Sequence, residues 1–504
     1  MSTNNLSIVQ RPVKASDKVP VITNWNPLIG YMIYKDQNIS SLFYYKIGLQ
    51  IYLGSDSTGT LLSVLKQRRN GYSVDVTAGK ARAFFDVRDI VNSQLCDTTV
   101  DQGLASPLAV ALGSYGSVHT LGLNDETKIF SLNGDKATGN TQIAQIYVRA
   151  IDCYSTNVNS GSICYTPSTP VEDSAFYTQA SLDLFHPRST TSSSVDSQYI
   201  QGVAFQAYCL NSVTGKFLSD NPRVASNYSA ETTVDKSVNL VLPLDYHTIA
   251  FLNGETDFDS KPHSIMVKYY SSTGTTLSTT VIFNQNSDGG ANPNTTGGQV
   301  DSDAERLIYF GCGPGNLQEF DTATSKPSNN VGWVNYTIRA LDSSLAPMSE
   351  EVVFVNQKCE NNPKDYPTRR LAWRNSLGCY DYFNFVLKST ETTQIKRNKY
   401  GKLLGTFNQD KFYYNDSQKG QATRQTTATL KETLNTDYLS EEQGVLIEKL
   451  LMSTDVYIIQ NEDTTYTQSV VVTDSSFIKK TVVNDKLIQY SITIEYANEL
   501  NTNS

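Results

Sequence analysis

Residues 43–53 alternate without interruption. Phe43, Tyr45, Ile47, Leu49, Ile51 and Leu53 fall on one side, and Tyr44, Lys46, Gly48, Gln50 and Tyr52 on the other. A period of two sustained over this length buries one face only if the segment is a β-strand. The turn signal Gly54-Ser55-Asp56-Ser57-Thr58-Gly59 and the apolar run Leu61-Leu62-Ser63-Val64-Leu65 come next, so the region reads as a β-hairpin. The composition points the same way: 30 Tyr, 19 Phe and loops crowded with Ser, Thr and Asn favour strands over helices. At ~100–200 residues per domain, the 504 residues predict roughly three or four folded units.

A second constraint is internal. Ile146-Tyr147-Val148-Arg149-Ala150-Ile151-Asp152 has a near-copy in Tyr336-Thr337-Ile338-Arg339-Ala340-Leu341-Asp342, each followed by a polar turn and another strand-like stretch. Two related β-units in tandem are the natural reading, with Val148 and Ile338 in equivalent core positions, and a chance likeness of two strands is the alternative for so short a match. A small-polar tract near 187–198 and the run Asn361-Asn362-Pro363-Lys364-Asp365-Tyr366-Pro367 mark boundaries. The expected organisation is a β-sandwich over 1–190, a second over 191–362 with a long loop at 284–301, and a β-rich docking domain over 363–504. The second unit is expected to hold strands at Val203–Cys209, Val238–Leu242, Ile265–Tyr270 and Val281–Asn284.

Helix is scarce. Ala83–Val91 leads from a strand into one short helix with Asp86 placed to cap it. The best helix follows the capping box Ser440-Glu441-Glu442-Gln443, with Val445, Leu446, Leu450 and Leu451 close to one face. The chain is expected to end in a hairpin, Phe477–Val483 and Leu487–Tyr496 around Asn484-Asp485. The fold class is therefore mostly β: tandem β-sandwich domains and a C-terminal α+β domain with a β-hairpin and one amphipathic helix.

Several functions are excluded by what the residues lack. The 41 basic and 50 acidic residues give a net charge of −9 with no basic block, so a nucleic-acid ligand is not expected. No apolar run reaches transmembrane length, and residues 1–20 carry no secretory pattern, so synthesis in a cytoplasm without membrane insertion is expected. The seven Cys (Cys96, Cys153, Cys164, Cys209, Cys312, Cys359, Cys379) are scattered and odd in number, which favours reduced thiols. His119, His186, His247 and His263 form no zinc pattern, Gly79-Lys80-Ala81 lacks the rest of a phosphate loop, and no G-x-S-x-G elbow occurs. Glycan-cleaving carboxylates leave no mark in spacing, so that chemistry stays open. The tyrosine-rich stretches Tyr44-Tyr45, Tyr269-Tyr270, Tyr380-Asp381-Tyr382 and Tyr413-Tyr414 suit interfaces or sugar stacking, or else simply face solvent on strands.

Leu307–Leu317, with Gly311-Cys312-Gly313-Pro314-Gly315 at its centre, resembles the first motif of methyltransferases that bind S-adenosylmethionine. That motif usually carries an acid two positions before the first glycine, where this chain has Tyr309, and it opens a helix, for which the following residues give no pattern. A strand ending in a glycine turn is the preferred reading. No catalytic, cofactor-binding or metal-binding residues are assigned, no cofactor is expected, and the chain is expected not to be an enzyme.

Four phrases carry a wider resemblance: Ala83–Val91; Lys216-Phe217-Leu218-Ser219-Asp220-Asn221-Pro222-Arg223; Trp373-Arg374-Asn375-Ser376-Leu377-Gly378-Cys379-Tyr380-Asp381-Tyr382-Phe383; and Ile492–Asn498. As a set, spread over most of the chain, they resemble a family of virion structural proteins from tailed phages infecting Bacteroidetes, including crAss-like phages. In that family a second glycine commonly follows Gly378, where this chain has Cys379. The resemblance implies a tail or neck component, such as a ring, hub or fibre adaptor, built of tandem β-domains. Its partners would be itself, as a homo-oligomer, and other virion proteins, and its location the virion. The alternatives are a carbohydrate-binding adhesin or receptor-binding protein and, further off, a glycan-cleaving tail enzyme.

Overall fold

A computed structural model of the chain describes residues 6–11, 21–23, 30–35, 42–68, 81–95, 118–121, 129–133, 143–167, 169–178, 210, 213–221, 223–224, 236–252, 262–283, 307–317, 332–357, 366–402, 404–414, 420–460, 466–474, 478, 488–497 and 500–503. The first part contains β1 (Leu6–Gln10), β2 (Val21–Thr23), β3 (Gly30–Lys35), β4 (Phe43–Leu53), β5 (Thr60–Arg68), β6 (Ala81–Asp86), helix α1 (Arg88–Asn92), β7 (Phe130–Asn133), β8 (Ile143–Ser155), β9 (Ile163–Tyr165) and β10 (Glu172–Thr178). The alternation at 43–53 is β4, whose odd-numbered residues from Tyr45 to Leu53 are buried. It pairs antiparallel with β5 and β8, β8 pairs antiparallel with β10, and β10 runs parallel to β2. A smaller sheet, β1-β3-β6, supplies the opposite wall of one core.

The next elements are β11 (Arg223–Val224), β12 (Lys236–Val241), β13 (Thr248–Leu252), β14 (Ser264–Tyr270), β15 (Thr276–Phe283), β16 (Leu307–Gly311), the helical turn α2 (Pro314–Leu317), β17 (Asn335–Leu341) and β18 (Val352–Asn356). Here β14 pairs antiparallel with β15 and β17, β17 with β18, and β18 lies parallel to β12, while β13 pairs with β16 in the facing sheet. Strand for strand, β2-β3-β4-β5-β6-β8-β10 and β12-β13-β14-β15-β16-β17-β18 have the same pairing. This is the strand order of immunoglobulin-like sandwiches. The repeated phrase occupies the equivalent strands β8 and β17, with Val148 and Ile338 both fully buried in their cores. The phrase ends differently: Asp152 is buried in an ion pair, whereas Asp342 caps an exposed turn by accepting from Ser344 and Ala346.

Contacts divide the chain into two compact units, residues 1–357 with 375–381, and 358–374 with 382–504. Both sandwiches lie in the first of these units. β7, from the first third of the chain, pairs antiparallel with β16, and Ile129 and Phe130 join the second core. Residues 187–198, 284–301 and the expected strand Val203–Cys209 lie outside the described residues, as does His186.

Two local expectations are corrected. Cys153 and Cys164 are opposite each other on β8 and β9 and form a disulfide, because strand register aligns residues whose sequence spacing gives no framework. Cys312 and Cys379 are buried thiols, and the other three cysteines lie outside the described residues. The N-cap of α1 is Val87, one residue beyond Asp86, whose carboxylate accepts from the Arg88 N–H at 3.0 Å. Of the expected terminal hairpin, Phe477 and residues 479–487 lie outside the described residues; the strand ending at Tyr496 pairs with the strands described next.

The second unit contains β19 (Arg369–Arg374), β20 (Tyr380–Phe385), β21 (Thr390–Gly401), β22 (Thr406–Asn408), β23 (Lys411–Tyr413), β24 (Gln421–Asn435), helix α3 (Glu441–Met452), β25 (Val456–Gln460), β26 (Tyr466–Val472), β27 (Ser491–Tyr496) and β28 (Leu500–Asn503); the first two residues of β20 belong to the first unit. The sheet order is β20-β19-β25-β26-β27-β24-β21, with β28 beside β24. Ser440 and Gln443 make the reciprocal capping box, and α3 lays Leu446, Ile447 and Leu450 on the sheet beside Trp373, Ile458 and Ile492. Among the described residues no helix is long and apolar enough to cross a membrane.

Candidate functional site

The glycine turn is filled by the protein's own backbone. Gly313 N–H donates to His247 O at 2.9 Å and Gly315 N–H to Asp245 O at 2.9 Å. Asn316, fully buried, accepts from His247 N–H at 2.8 Å and donates to Leu121 O at 2.7 Å. A Cβ added at Gly313 would lie 2.4 Å from His247 N and 2.5 Å from Asp245 O. The glycines therefore serve close backbone approach, and none of the three has a positive φ. A helical turn, α2, begins within the motif at Pro314 and runs to Leu317, beyond which residues 318–331 lie outside the described residues.

The histidines stay apart as packing groups: His119 lies edge-on to Tyr380, His247 to Phe354 and His263 to Phe283. Among the described residues no group of three or more His, Cys, Asp or Glu could hold a metal. Tyr45, Tyr269, Tyr380 and Tyr382 are core residues, whereas Tyr44, Tyr413 and Tyr414 are exposed.

Two phrases of the sequence resemblance meet in the first unit as an aspartate clasp. The Asp381 carboxylate accepts from Ser219 Oγ at 2.6 Å and from Asp220 N–H at 2.9 Å; in return the Asp220 carboxylate accepts from Ser376 N–H at 2.5 Å and from Ser376 Oγ. Asn375 donates to Leu218 O at 3.0 Å and accepts from Leu377 N–H and Cys379 N–H, closing a turn in which Gly378 adopts φ +82°. Cys379 does not need the left-handed region, so the missing second glycine leaves this turn intact. Burial, reinforced by the charge of Asp220, pushes the Asp381 carboxyl up to about 7.

Among the described residues the longest wholly exposed strand is β21, which pairs with the half-buried β24 in an arm whose character the sequence did not announce. All twelve residues of β21 are exposed, and since neighbouring side chains point to opposite faces, neither face is covered. At ~3.4 Å per residue the strand runs about 40 Å. On its other side β24 is covered by β27 only over Lys431–Asn435 and by β28 only over Gln425–Ala428, leaving residues 421–424 in a two-stranded ribbon. The ribbon leads to the small hairpin β22–β23, where Phe407 is 72% and Tyr414 65% exposed, and Phe412 and Tyr413 are exposed as well. Its base is fixed by Arg369, which reaches fully buried Glu432 at 2.9 Å and Glu391 at 3.3 Å, one on each strand, while Tyr496 Oη donates to Glu432 at 2.8 Å. Sequence-adjacent tyrosines at 413 and 414 were the one legible sign of this tip.

A second exposed apolar cluster sits at one end of the first sandwich. A bulge in β4 between Phe43 and Lys46 places Tyr44 at φ +55° and 57% exposed, while Tyr45 turns inward and donates to Asp152 at 2.5 Å. Tyr44 Oη donates to Val158 O at 2.9 Å, and the disulfide holds β9, with exposed Ile163 and Tyr165, against β8.

No protein-family model matches the chain, and no curated protein sequence matches it.

Proposed function

We propose that the chain is a structural component of a phage tail or neck, a ring, hub or fibre-adaptor protein. In this reading it works in the virion by oligomerising and docking other virion proteins, without catalytic turnover, sequence-specific nucleic-acid binding or membrane insertion. The observation that carries the reading is the solvated β21–β24 arm with its aromatic tip. The two-stranded part of the arm, at residues 421–424, is marginally stable alone in water, and a long uncovered edge such as β21 invites pairing with another chain, so such an arm makes physical sense where an assembly covers it. The clasp formed by two of the family-like phrases supports it further, because those residues hydrogen-bond one another and hold a turn in place. A glycine turn filled by backbone likewise leaves no bed for the cofactor that the motif superficially suggests.

The exposed aromatics of the tip also favour a second reading, a carbohydrate-binding adhesin. The Phe407 and Phe412 rings are tilted by 59° at 5.2 Å, which packs them on each other and makes no flat platform for a sugar ring. Electron microscopy of the assembled particle separates the two. The structural reading expects the chain in symmetric multiple copies with the arm buried against protein; an arm pointing freely outward that binds glycans would overturn it.

A further inference from the structure

The arm carries a charge opposite to that of the rest of the chain. Residues 394–425 contain seven Lys or Arg (Lys396, Arg397, Lys399, Lys402, Lys411, Lys419, Arg424) and two Asp, a net of +5, so the remaining residues carry −14 of the chain's total −9. The basic residues are dispersed in sequence; Lys396, Arg397, Lys399 and Arg424 lie on β21 and β24, Lys402 just after β21, and Lys411 on β23, while Lys419 lies outside the described residues. The Phe43, Tyr44, Val158, Ile163 and Tyr165 cluster offers apolar surface of the kind the tip needs. A bulge sets Tyr44 in left-handed backbone, a conformation such sites use, and the disulfide fixes β9 against β8.

We propose that the arm docks onto a second copy of this chain, its aromatic tip covering the Phe43–Tyr165 cluster of the first sandwich while its basic ribbon lies along the acidic body. The occupant is a second copy because one sequence carries both signs, +5 over residues 394–425 and −14 over the rest. Two different patches on one chain make a heterologous contact, which propagates head to tail and closes into a ring when the rotation per subunit allows. The proposal rests on the multi-copy structural reading and gives it a specific interface.

The test uses full-length chains. Phe407→Ser/Phe412→Ser alters the tip and Tyr44→Ser/Ile163→Ser the receiving cluster; all four side chains are exposed, and circular dichroism checks that each protein folds. Native mass spectrometry and sedimentation should show the unaltered chain self-associating, more weakly as salt rises, and each double variant associating at least ~tenfold more weakly. Mixing the two variants should restore pairing, and the pairing should stop at dimers, because each mixture holds one intact tip facing one intact cluster. Lys396→Glu/Lys399→Glu, which leaves both apolar patches whole, should weaken association and flatten its salt dependence. Oligomers that neither double variant disturbs would overturn this interface while leaving the multi-copy reading in place. Loss with the tip variant and none with the cluster variant would also overturn it, as would an arm that retains duplex DNA in preference to its own chain.

Discussion

At the scale of the residue, Asp381 has the most measurable consequence. Its carboxyl is raised from the ordinary 3.8 to about 7 by burial and by Asp220, so the folded protein holds that proton more tightly than the unfolded chain. The stabilisation is complete below pH ~4 and is lost as pH rises through about 7, which predicts a decline of ~1–3 kcal/mol over that window. Chemical denaturation at stepped pH measures the slope; Asp381→Asn should flatten it, and an unchanged slope would sink the assignment. Gly313 gives the second prediction. A valine there drives Cβ into backbone atoms of 245–247, so Gly313→Val should cost about 2–4 kcal/mol and lower Tm. Calorimetric titration with S-adenosylmethionine should show no binding to the unaltered protein; micromolar binding abolished by a still-folded Gly313→Val would contradict this account. The glycines were legible as backbone devices, because two of the usual marks of a cofactor motif are missing around them. The clasp was not, since Asp220 and Asp381 are 161 residues apart and only the fold brings them together.

At the scale of the element, legibility followed the number of buried faces. Strand β4 buries one face and announced itself by alternation; α3 buries one stripe and its capping box was readable to the residue, although Ile447 belongs to the buried stripe alongside the expected Leu446 and Leu450. Strand β21 buries neither face, so Thr390–Gly401 shows no apolar period at all, only the threonine content that an exposed ribbon tolerates. The Cys153–Cys164 bridge escaped for a related reason, because it depends on the register of β9 against β8, which spacing does not encode. The arm's attachment is testable through Glu432. Removing it leaves Arg369 and Tyr496 without their shared buried partner, so Glu432→Ala should destabilise the second unit by ~3–5 kcal/mol. Hydrogen exchange should show protection falling first along β21 and β24; protection lost instead in α3 with the arm unaffected would show that Glu432 does not hold its base.

At the scale of the whole molecule, the repeated phrase at Arg149 and Arg339 proved to be one strand of a seven-strand order that occurs twice, and Val148 and Ile338 sit at matching depth in its two cores. Sequence carried that far because the phrase is itself a core strand. It could not reveal that β7 crosses into the second sandwich, since a four-residue strand is claimed by whichever edge is open to it. The proposal that this protein works through its surfaces, in multiple copies, rests on the tandem sandwiches and the exposed basic arm. The direct test is the copy number of this chain in the intact particle, read by electron microscopy of the tail and neck. The account predicts a symmetric set of copies with each arm buried in protein; a single unrepeated copy, or a chain absent from the particle, would contradict it.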